Sequence, residues 1–217
     1  MDPCHGRRLL VPMTYGLSVR YAVPTGLLEA LGRRVNVVAA LGWEDPELDA
    51  DLQRRGIETA VLPEALLRHE YRKLVRKLNL LHEHRLGSPT SAIRRRRWKA
   101  PALSRDRLLA DLRVARDRLA TAVPGADSRV NSGAEREVRS ATNLGEFAEF
   151  LRALEIDGVL SFTPYHDQDS LTLQAAAHAS LTTLVSIISF DNPTVRGRLP
   201  VIPDLVAVWN EDNAGQI

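Results

Sequence analysis

Residues 8–20 read RLLVPMTYGLSVR, an apolar run followed by a polar turn. A short continuous apolar run is typical of a strand that is buried on both faces of a parallel sheet. The run predicts a strand that ends at Thr14, where Tyr15-Gly16 forms a turn. Ser18 can cap a helix that we expect to run to about Leu31. The segment therefore predicts the strand, loop and helix that begin an α/β domain.

The same alternation of strand and helix recurs along the chain. Pro24 is expected to cause only a modest irregularity in the first helix, and Asp45-Pro46 is typical of an N-cap followed by the first helical residue. Strands are predicted over 35–41, 57–62, 157–163, 182–189 and 205–209, and later helices over 45–56, 144–155 and 169–179, with another starting at 211. This alternation predicts an α/β fold with a Rossmann-like, doubly wound parallel sheet.

The middle of the chain differs in charge from the rest. Residues 65–130 carry 17 Lys/Arg and 6 Asp/Glu, whereas the remainder carries 12 and 21. Leucines recur among arginines at helical spacing, and 124–140 is polar with Gly and Pro. We interpret 64–140 as a basic helical insertion in a single Rossmann-like domain spanning 1–217.

The densest charge in this insertion is a run of basic residues beside a tryptophan: Arg94, Arg95, Arg96, Arg97, Trp98 and Lys99. A solvated surface segment explains the run in ordinary terms. An anionic membrane surface is the next interpretation, because clustered basic residues attract anionic lipid and tryptophan suits the interface. Nucleic-acid binding ranks lower, since the chain has few aromatic residues and no recognised binding module.

Composition excludes several classes of protein. The single cysteine, Cys4, excludes a disulfide framework within the chain and a four-cysteine zinc site. No apolar run approaches the length of a membrane span, and the first residues are not typical of a signal peptide. We therefore expect a cytoplasmic protein. Neither G-x-G-x-x-G nor G-K-[ST] occurs, so nicotinamide and P-loop nucleotide chemistry lack support.

Three polar loops follow predicted strands: residues 14–20, 163–169 and 191–196. Because the carboxyl ends of parallel strands meet at one edge of a sheet, we expect these loops to lie together. The first two begin helices, whose N-terminal amides favour anions. This shared edge is the predicted functional site.

Several side chains of these loops have alternative interpretations. His166 suits a general base, but an exposed loop histidine is the plainer explanation. Asp167 or Asp169 can orient His166, although a helix cap is the more ordinary role. Arg20 is a ligand contact or a solvated residue, and Gly16 serves a ligand or only the turn.

Three segments resemble bacterial GT-B glycosyltransferase-like proteins. They are residues 9–31 (LLVPMTYGLSVRYAVPTGLLEAL), residues 45–63 (DPELDADLQRRGIETAVLP) and residues 189–210 (SFDNPTVRGRLPVIPDLVAVWN). The third is the most specific, with an aromatic-Asp-Asn-x-Thr pattern and then Arg-Gly, Pro-Asp and Trp-Asn. Pro193 departs from the usual pattern. CDP-glycerol polymer transferases and non-hydrolysing sugar epimerases share this architecture.

The resemblance implies the acceptor-side N-terminal domain of a nucleotide-sugar-dependent glycosyltransferase that acts on a cell-envelope or lipid-linked acceptor. The donor-binding C-terminal domain is expected beyond this chain, so catalysis by the chain alone is not expected. The implied chemistry needs no metal or cofactor, and the nucleotide-sugar is a substrate. His166 and Asp191 are the candidate catalytic residues, and the candidate substrate-binding residues are Thr14, Gly16, Arg20, Asn192, Thr194 and Arg196. The alternative is a non-catalytic α/β binding protein with a basic arm for membranes or nucleic acid.

Overall fold

The computed structural model describes residues 6–66, 143–188, 199–208 and 210–214, with isolated positions 112, 115 and 132. The chain divides into two compact units. One comprises 1–66, 143–188 and 199–209, and the other comprises 67–142, 189–198 and 210–217. The predicted insertion at 64–140, its basic run and the loop at 191–196 lie almost wholly outside the described residues.

The first unit contains a parallel sheet and its connecting helices. Its elements, in chain order, are β1 (Arg8–Met13), α1 (Gly16–Ala22), α2 (Leu27–Gly32), β2 (Asn36–Leu41), α3 (Pro46–Arg54), β3 (Glu58–Val61), α4 (Leu144–Ala153), β4 (Gly158–Ser161), α5 (Asp167–His178), β5 (Thr182–Ser186) and β6 (Leu205–Ala207). The strand order is β3-β2-β1-β4-β5-β6, and every pairing is parallel. The predicted α/β fold with a Rossmann-like doubly wound parallel sheet is confirmed. The second unit includes a short helix, α6 (Glu211–Ala214).

The strand β1 lies at the centre of the sheet. It pairs with β2 along its whole length, from Arg8 opposite Asn36 to Met13 opposite Leu41, and with β4 at Leu9 and Leu10. Its residues from Leu10 to Met13 are buried because both faces of the sheet are covered there, as the continuous apolar run predicted.

The core on one face of the sheet is formed by alternate strand residues and by α1, α2 and α3. Val11 and Met13 of β1 pack there with Leu28, Leu52 and other apolar residues. Phe162, just after β4, joins the same cluster and meets Tyr21 edge-on at 5.3 Å between ring centroids. The helix α5 contacts β1, β4 and β5 and packs against α4.

The first predicted helix is wrong in its start and its length. Tyr15 is the N-cap of α1, and Ser18 lies inside the first turn, where its hydroxyl donates to the Tyr15 carbonyl at 2.7 Å. The helix then stops at Ala22, and α2 begins only at Leu27. Pro24 has no N–H with which to continue the helix, and its ring crowds the preceding turn. Gly26 adopts a left-handed conformation (φ 69°) that starts α2 in a new direction.

Other boundaries differ by a few residues from those predicted. The predicted cap at Asp45 is confirmed, since its side chain accepts from the Leu48 amide at 3.0 Å with Pro46 first in the helix. The helix α5 begins two residues earlier than predicted, and β5 and β6 end earlier, at Ser186 and Ala207. Within the described part of the chain, no helix has the length and apolar character needed to cross a membrane.

Candidate functional site at the sheet's switch point

The strand order reverses direction between β1 and β4, because the chain builds outward from β1 to β3 and then returns to place β4 on the other side. In open α/β sheets, the crevice beyond the carboxyl ends of two such strands is where ligands bind. The loops that follow β1 and β4 meet there. The Tyr15 ring stacks on the His166 ring, with centroids 4.2 Å apart and planes inclined by 23°. Two of the three predicted loops therefore share one edge.

A buried carboxylate connects these two loops below the ring pair. Asp169, in the first turn of α5, has no exposed surface. Its Oδ1 accepts a hydrogen bond from the Thr14 hydroxyl, and its Oδ2 accepts from Ser161 Oγ at 2.5 Å and Thr163 Oγ1 at 3.0 Å. The Thr163 amide in turn donates to Ser161 Oγ at 3.2 Å. The carboxylate thus joins the end of β1, the end of β4 and the start of α5.

Burial dominates the electrostatics of this carboxylate. Removal from water raises the pKa of Asp169 from 3.8 to about 6, although the hydrogen bonds from Ser161, Thr14 and Thr163 act in the opposite direction. The hydroxyls therefore compensate only part of the cost of a buried charge. A group with this pKa changes its charge close to neutral pH.

A second contact connects α5 to the ends of β2 and β3. Gln168 Nε2 donates to the carbonyls of Gly42 at 3.3 Å and Pro63 at 3.1 Å. Gly42 follows β2 directly, and a Cβ atom there would lie 2.8 Å from Gln168 Oε1 and 2.9 Å from Thr14 Cα. Only glycine fits this approach, so the ends of β1 and β2 and the start of α5 are held closely together.

These contacts border an open cleft of about 730 Å³ along the carboxyl edge of the sheet. This volume is in the range of small-molecule sites. The lining residues are Thr14, Gly42, Leu62, Glu64, Ala65, Tyr165, His166, Asp167 and Gln168. Hydroxyl, imidazole and carboxylate groups thus share one cleft, a combination that can bind a hydroxyl-bearing ligand and accept its proton.

The structure places the predicted site residues differently. Thr14 and His166 line the cleft. Gly16 and Arg20 lie on α1, at its first position and in its last turn, and Arg20 is exposed. A Cβ on Gly16 would meet no atom within 4 Å, so the turn does not require glycine there. The remaining predicted residues lie outside the described part of the chain: Asp191, Asn192, Thr194 and Arg196.

The prediction that Asp167 or Asp169 caps α5 is wrong. The N-cap position is His166, and both aspartates lie within the first turn of the helix. The Asp169 side chain is directed inward, where three hydroxyls at the ends of β1 and β4 donate hydrogen bonds to it. Its neighbour Asp167 is exposed and lines the cleft.

Sequence reasoning gave Asp169 only the roles of orienting His166 or capping a helix, and it did not single out Gln168 or Tyr15 as residues of the site. A signal for Asp169 existed, because Ser161 and Thr163 are alternate polar residues at the end of an otherwise apolar strand. Alternate residues share a face of a strand, so two hydroxyls on one face predict a buried polar partner. For Tyr15 the sequence carries no equivalent signal.

The fold and cleft together define an α/β protein with a Rossmann-like parallel sheet and a ligand-sized cleft at its switch point. No protein-family model matches the chain, and no curated protein matches it. Among solved structures it is similar to UGT73P12 of Glycyrrhiza uralensis, complexed with glycyrrhetinic acid 3-O-monoglucuronide, with 14% identity and a TM-score of 0.31. The match covers 83% of this chain, which spans 27% of the length of that one.

Proposed function

We propose that the chain is the acceptor-side domain of a nucleotide-sugar-dependent glycosyltransferase, and that the cleft binds the acceptor hydroxyl. The observation that carries the proposal is the position of His166. It lines a ligand-sized cleft at the switch point and stacks on Tyr15 from the neighbouring loop. The sequence resemblance of 189–210 to GT-B proteins supports the same assignment.

In the proposed reaction, His166 acts as the general base. The acceptor hydroxyl oxygen attacks the anomeric carbon of the donor sugar, and the bond from that carbon to the diphosphate oxygen breaks. The hydroxyl proton passes to an unprotonated ring nitrogen of His166, the type of side chain that most often serves as a general base. Stacking against Tyr15 restricts the orientation of the imidazole at the cleft.

The other candidate residues complete this proposal. Asp191 is the alternative base, and Asn192 and Thr194 would hydrogen-bond the acceptor. Arg20 and Arg196 would bind the anionic groups of donor or acceptor, because guanidinium groups pair with phosphate through two hydrogen bonds. Thr14 contributes a hydroxyl at the cleft.

The test uses the protein encoded by the complete reading frame, assayed with a set of radiolabelled nucleotide-sugars and neutral methyl glycosides. We expect sugar transfer, and we expect His166→Gln to lower kcat by roughly 100-fold or more. His178→Gln is the matched control, because His178 is an exposed histidine at the other end of α5. Absence of transfer with every donor, or equal activity of both variants, would contradict the proposal and favour a binding protein.

Peripheral membrane association belongs to the same proposal. The arginines at 94–97 and Trp98 would bind anionic lipid and bring the enzyme to a lipid-linked acceptor. Co-sedimentation with vesicles of mixed anionic and zwitterionic lipid is the test, with purely zwitterionic vesicles as the control. We expect pelleting that is lost when the four arginines are replaced by serine. Equal pelleting of both proteins would remove the membrane component and leave the transferase proposal intact.

A further inference from the structure

We infer that Asp169 is a positioning residue that fixes the direction of the Thr14 hydroxyl, so that Thr14 Oγ1 accepts a hydrogen bond from a hydroxyl-bearing ligand in the cleft. The ligand part of this inference rests on the proposed function. The part that concerns the protein alone rests on the hydrogen bonds around Asp169.

The first step is the direction of these hydrogen bonds. An ionised carboxylate only accepts, so all three hydroxyls that contact Asp169 donate to it. A threonine hydroxyl has one hydrogen and two lone pairs. Once Thr14 gives its hydrogen to Asp169, only its lone pairs remain for the cleft that it lines. Thr14 then selects a ligand group that donates, such as a hydroxyl.

The second step is the effect of protonating Asp169. Its Oδ2 receives two hydroxyl donors, whereas its Oδ1 receives only Thr14. The proton binds more readily to Oδ1, because fewer hydrogen bonds are lost there. That oxygen then donates to Thr14, and the Thr14 hydrogen turns toward the cleft. Protonation therefore reverses what Thr14 offers a ligand.

The groups around Asp169 determine how this reversal can be measured in a pH titration. Burial raises the pKa of Asp169 to about 6, against the lowering effect of the three hydroxyls and of the Thr163 backbone amide. The titratable groups on the adjoining loops are Tyr15 from the β1 side and Tyr165, His166 and Asp167 around the start of α5, and Glu64 also lines the cleft. Because His166 carries an ionisable ring in the same cleft, a test must separate it from Asp169.

Two variants make that separation. Asp169→Asn is nearly the same shape, and its amide oxygen can keep the two donors at Oδ2 while its NH₂ group donates to Thr14. In this variant the Thr14 hydroxyl hydrogen is therefore directed toward the cleft at every pH. His166→Gln removes the nearby imidazole ring and leaves Asp169 in place. Thr14→Ser retains the hydroxyl and serves as a check that small changes at this position are tolerated.

The experiment is a pH titration of the 217-residue chain by NMR, following the Thr14 methyl group and the Asp169 carboxyl carbon without ligand. We expect both to change with one midpoint near 6, in the wild type and in His166→Gln, and the Thr14 change to vanish in Asp169→Asn. The inference would be overturned if the Thr14 signal changed with pH in Asp169→Asn as it does in the wild type, or if its change disappeared in His166→Gln. If Asp169→Asn fails to fold, the comparison of wild type with His166→Gln decides by itself.

The ligand part is tested with methyl glucosides in which one hydroxyl is replaced by fluorine, which accepts a hydrogen bond but cannot donate. At the position that meets Thr14, we expect the wild type at pH 7.5 (about 1.5 units above the Asp169 pKa) to bind the parent roughly fivefold more tightly than the fluoro analogue. Asp169→Asn should lose this preference. An unchanged preference would overturn the ligand part, whereas absence of any glucoside binding would count against the proposed function and leave the NMR result decisive for the hydroxyl direction.

Discussion

The ring of Tyr15 lies against the ring of His166, 4.2 Å away between centroids, although the two residues are 151 positions apart in the chain. The contact exists because both residues follow strands that run in the same direction on either side of the switch point. It is the most direct evidence that the loops after β1 and β4 form one edge.

This ring pair predicts a measurable coupling. Tyr15→Ala and His166→Ala should each lower the free energy of unfolding, and the double variant should lose less than the sum of the two. We expect a coupling of about 0.5–1.5 kcal/mol from a double-mutant cycle in urea, as found for aromatic pairs. Tyr15→Phe should keep most of the coupling, because the aromatic ring that stacks on His166 remains. Additive losses would show that the rings do not interact in solution.

Burial of Asp169 predicts an unusual dependence of stability on pH. Folding raises the pKa of Asp169 from 3.8 to about 6. Between these two pH values the folded state holds a proton that the unfolded state has released. The free energy of unfolding should therefore fall across this interval as pH rises, by up to about 3 kcal/mol from this group. In Asp169→Asn the fall should disappear. Asp167→Asn, which changes an exposed neighbour, should keep it, and identical slopes in all three proteins would contradict the burial of Asp169.

Asp204 should have the opposite effect on stability. It accepts hydrogen bonds from the Thr183 amide at 2.8 Å and the Thr183 hydroxyl at 2.9 Å, which lower the pKa of its carboxyl group. Its contribution is present above the unfolded pKa near 4 and is lost as pH falls through the lower folded value. We expect Asp204→Asn to be less sensitive to acid than the wild type. Hydrogen exchange of the Ile187 amide, which donates to the Ala207 carbonyl of β6, should rise in the variant.

Gly42 should tolerate no larger residue. A methyl group there would lie within 3 Å of Thr14 Cα, which is backbone and cannot move away freely. We expect Gly42→Ala to cost about 1–3 kcal/mol of unfolding free energy, measured in urea, and to distort the cleft. Gly145→Ala is the control, since a Cβ atom in this first turn of α4 would meet nothing within 4 Å. It should be neutral or stabilise by up to about 1 kcal/mol; an equal loss in both variants would contradict the close approach.

The fold could be predicted from the sequence because local apolar runs indicate the strands. The continuous apolar runs at 8–13 and 36–41 indicate strands buried on both faces, and short connections between alternating elements leave few topologies besides a parallel sheet. At Pro24 the sequence predicts only a modest irregularity, whereas the structure has two separate helices. Propensity alone does not decide whether a proline bends a helix or ends it.

The site could be predicted only in part. The shared edge of the loops that contain Thr14 and His166 follows from strand direction, and the structure confirms that both residues line one cleft. The burial of Asp169 depends on three hydroxyls that converge from two strands, which no local pattern of the helix itself contains. The contribution of 191–196 to this edge stays a prediction.

The central claim is that the cleft at the switch point binds a hydroxyl-bearing acceptor. The most direct measurement is an NMR titration of the isotope-labelled 217-residue chain with a panel of neutral methyl glycosides. We predict saturable shift changes at Thr14, Gly42 and His166 in the wild type and in His178→Gln, and weaker binding, read at Thr14 and Gly42, in His166→Gln. Saturable changes confined to other parts of the sheet, or no saturable change with any glycoside, would contradict the account.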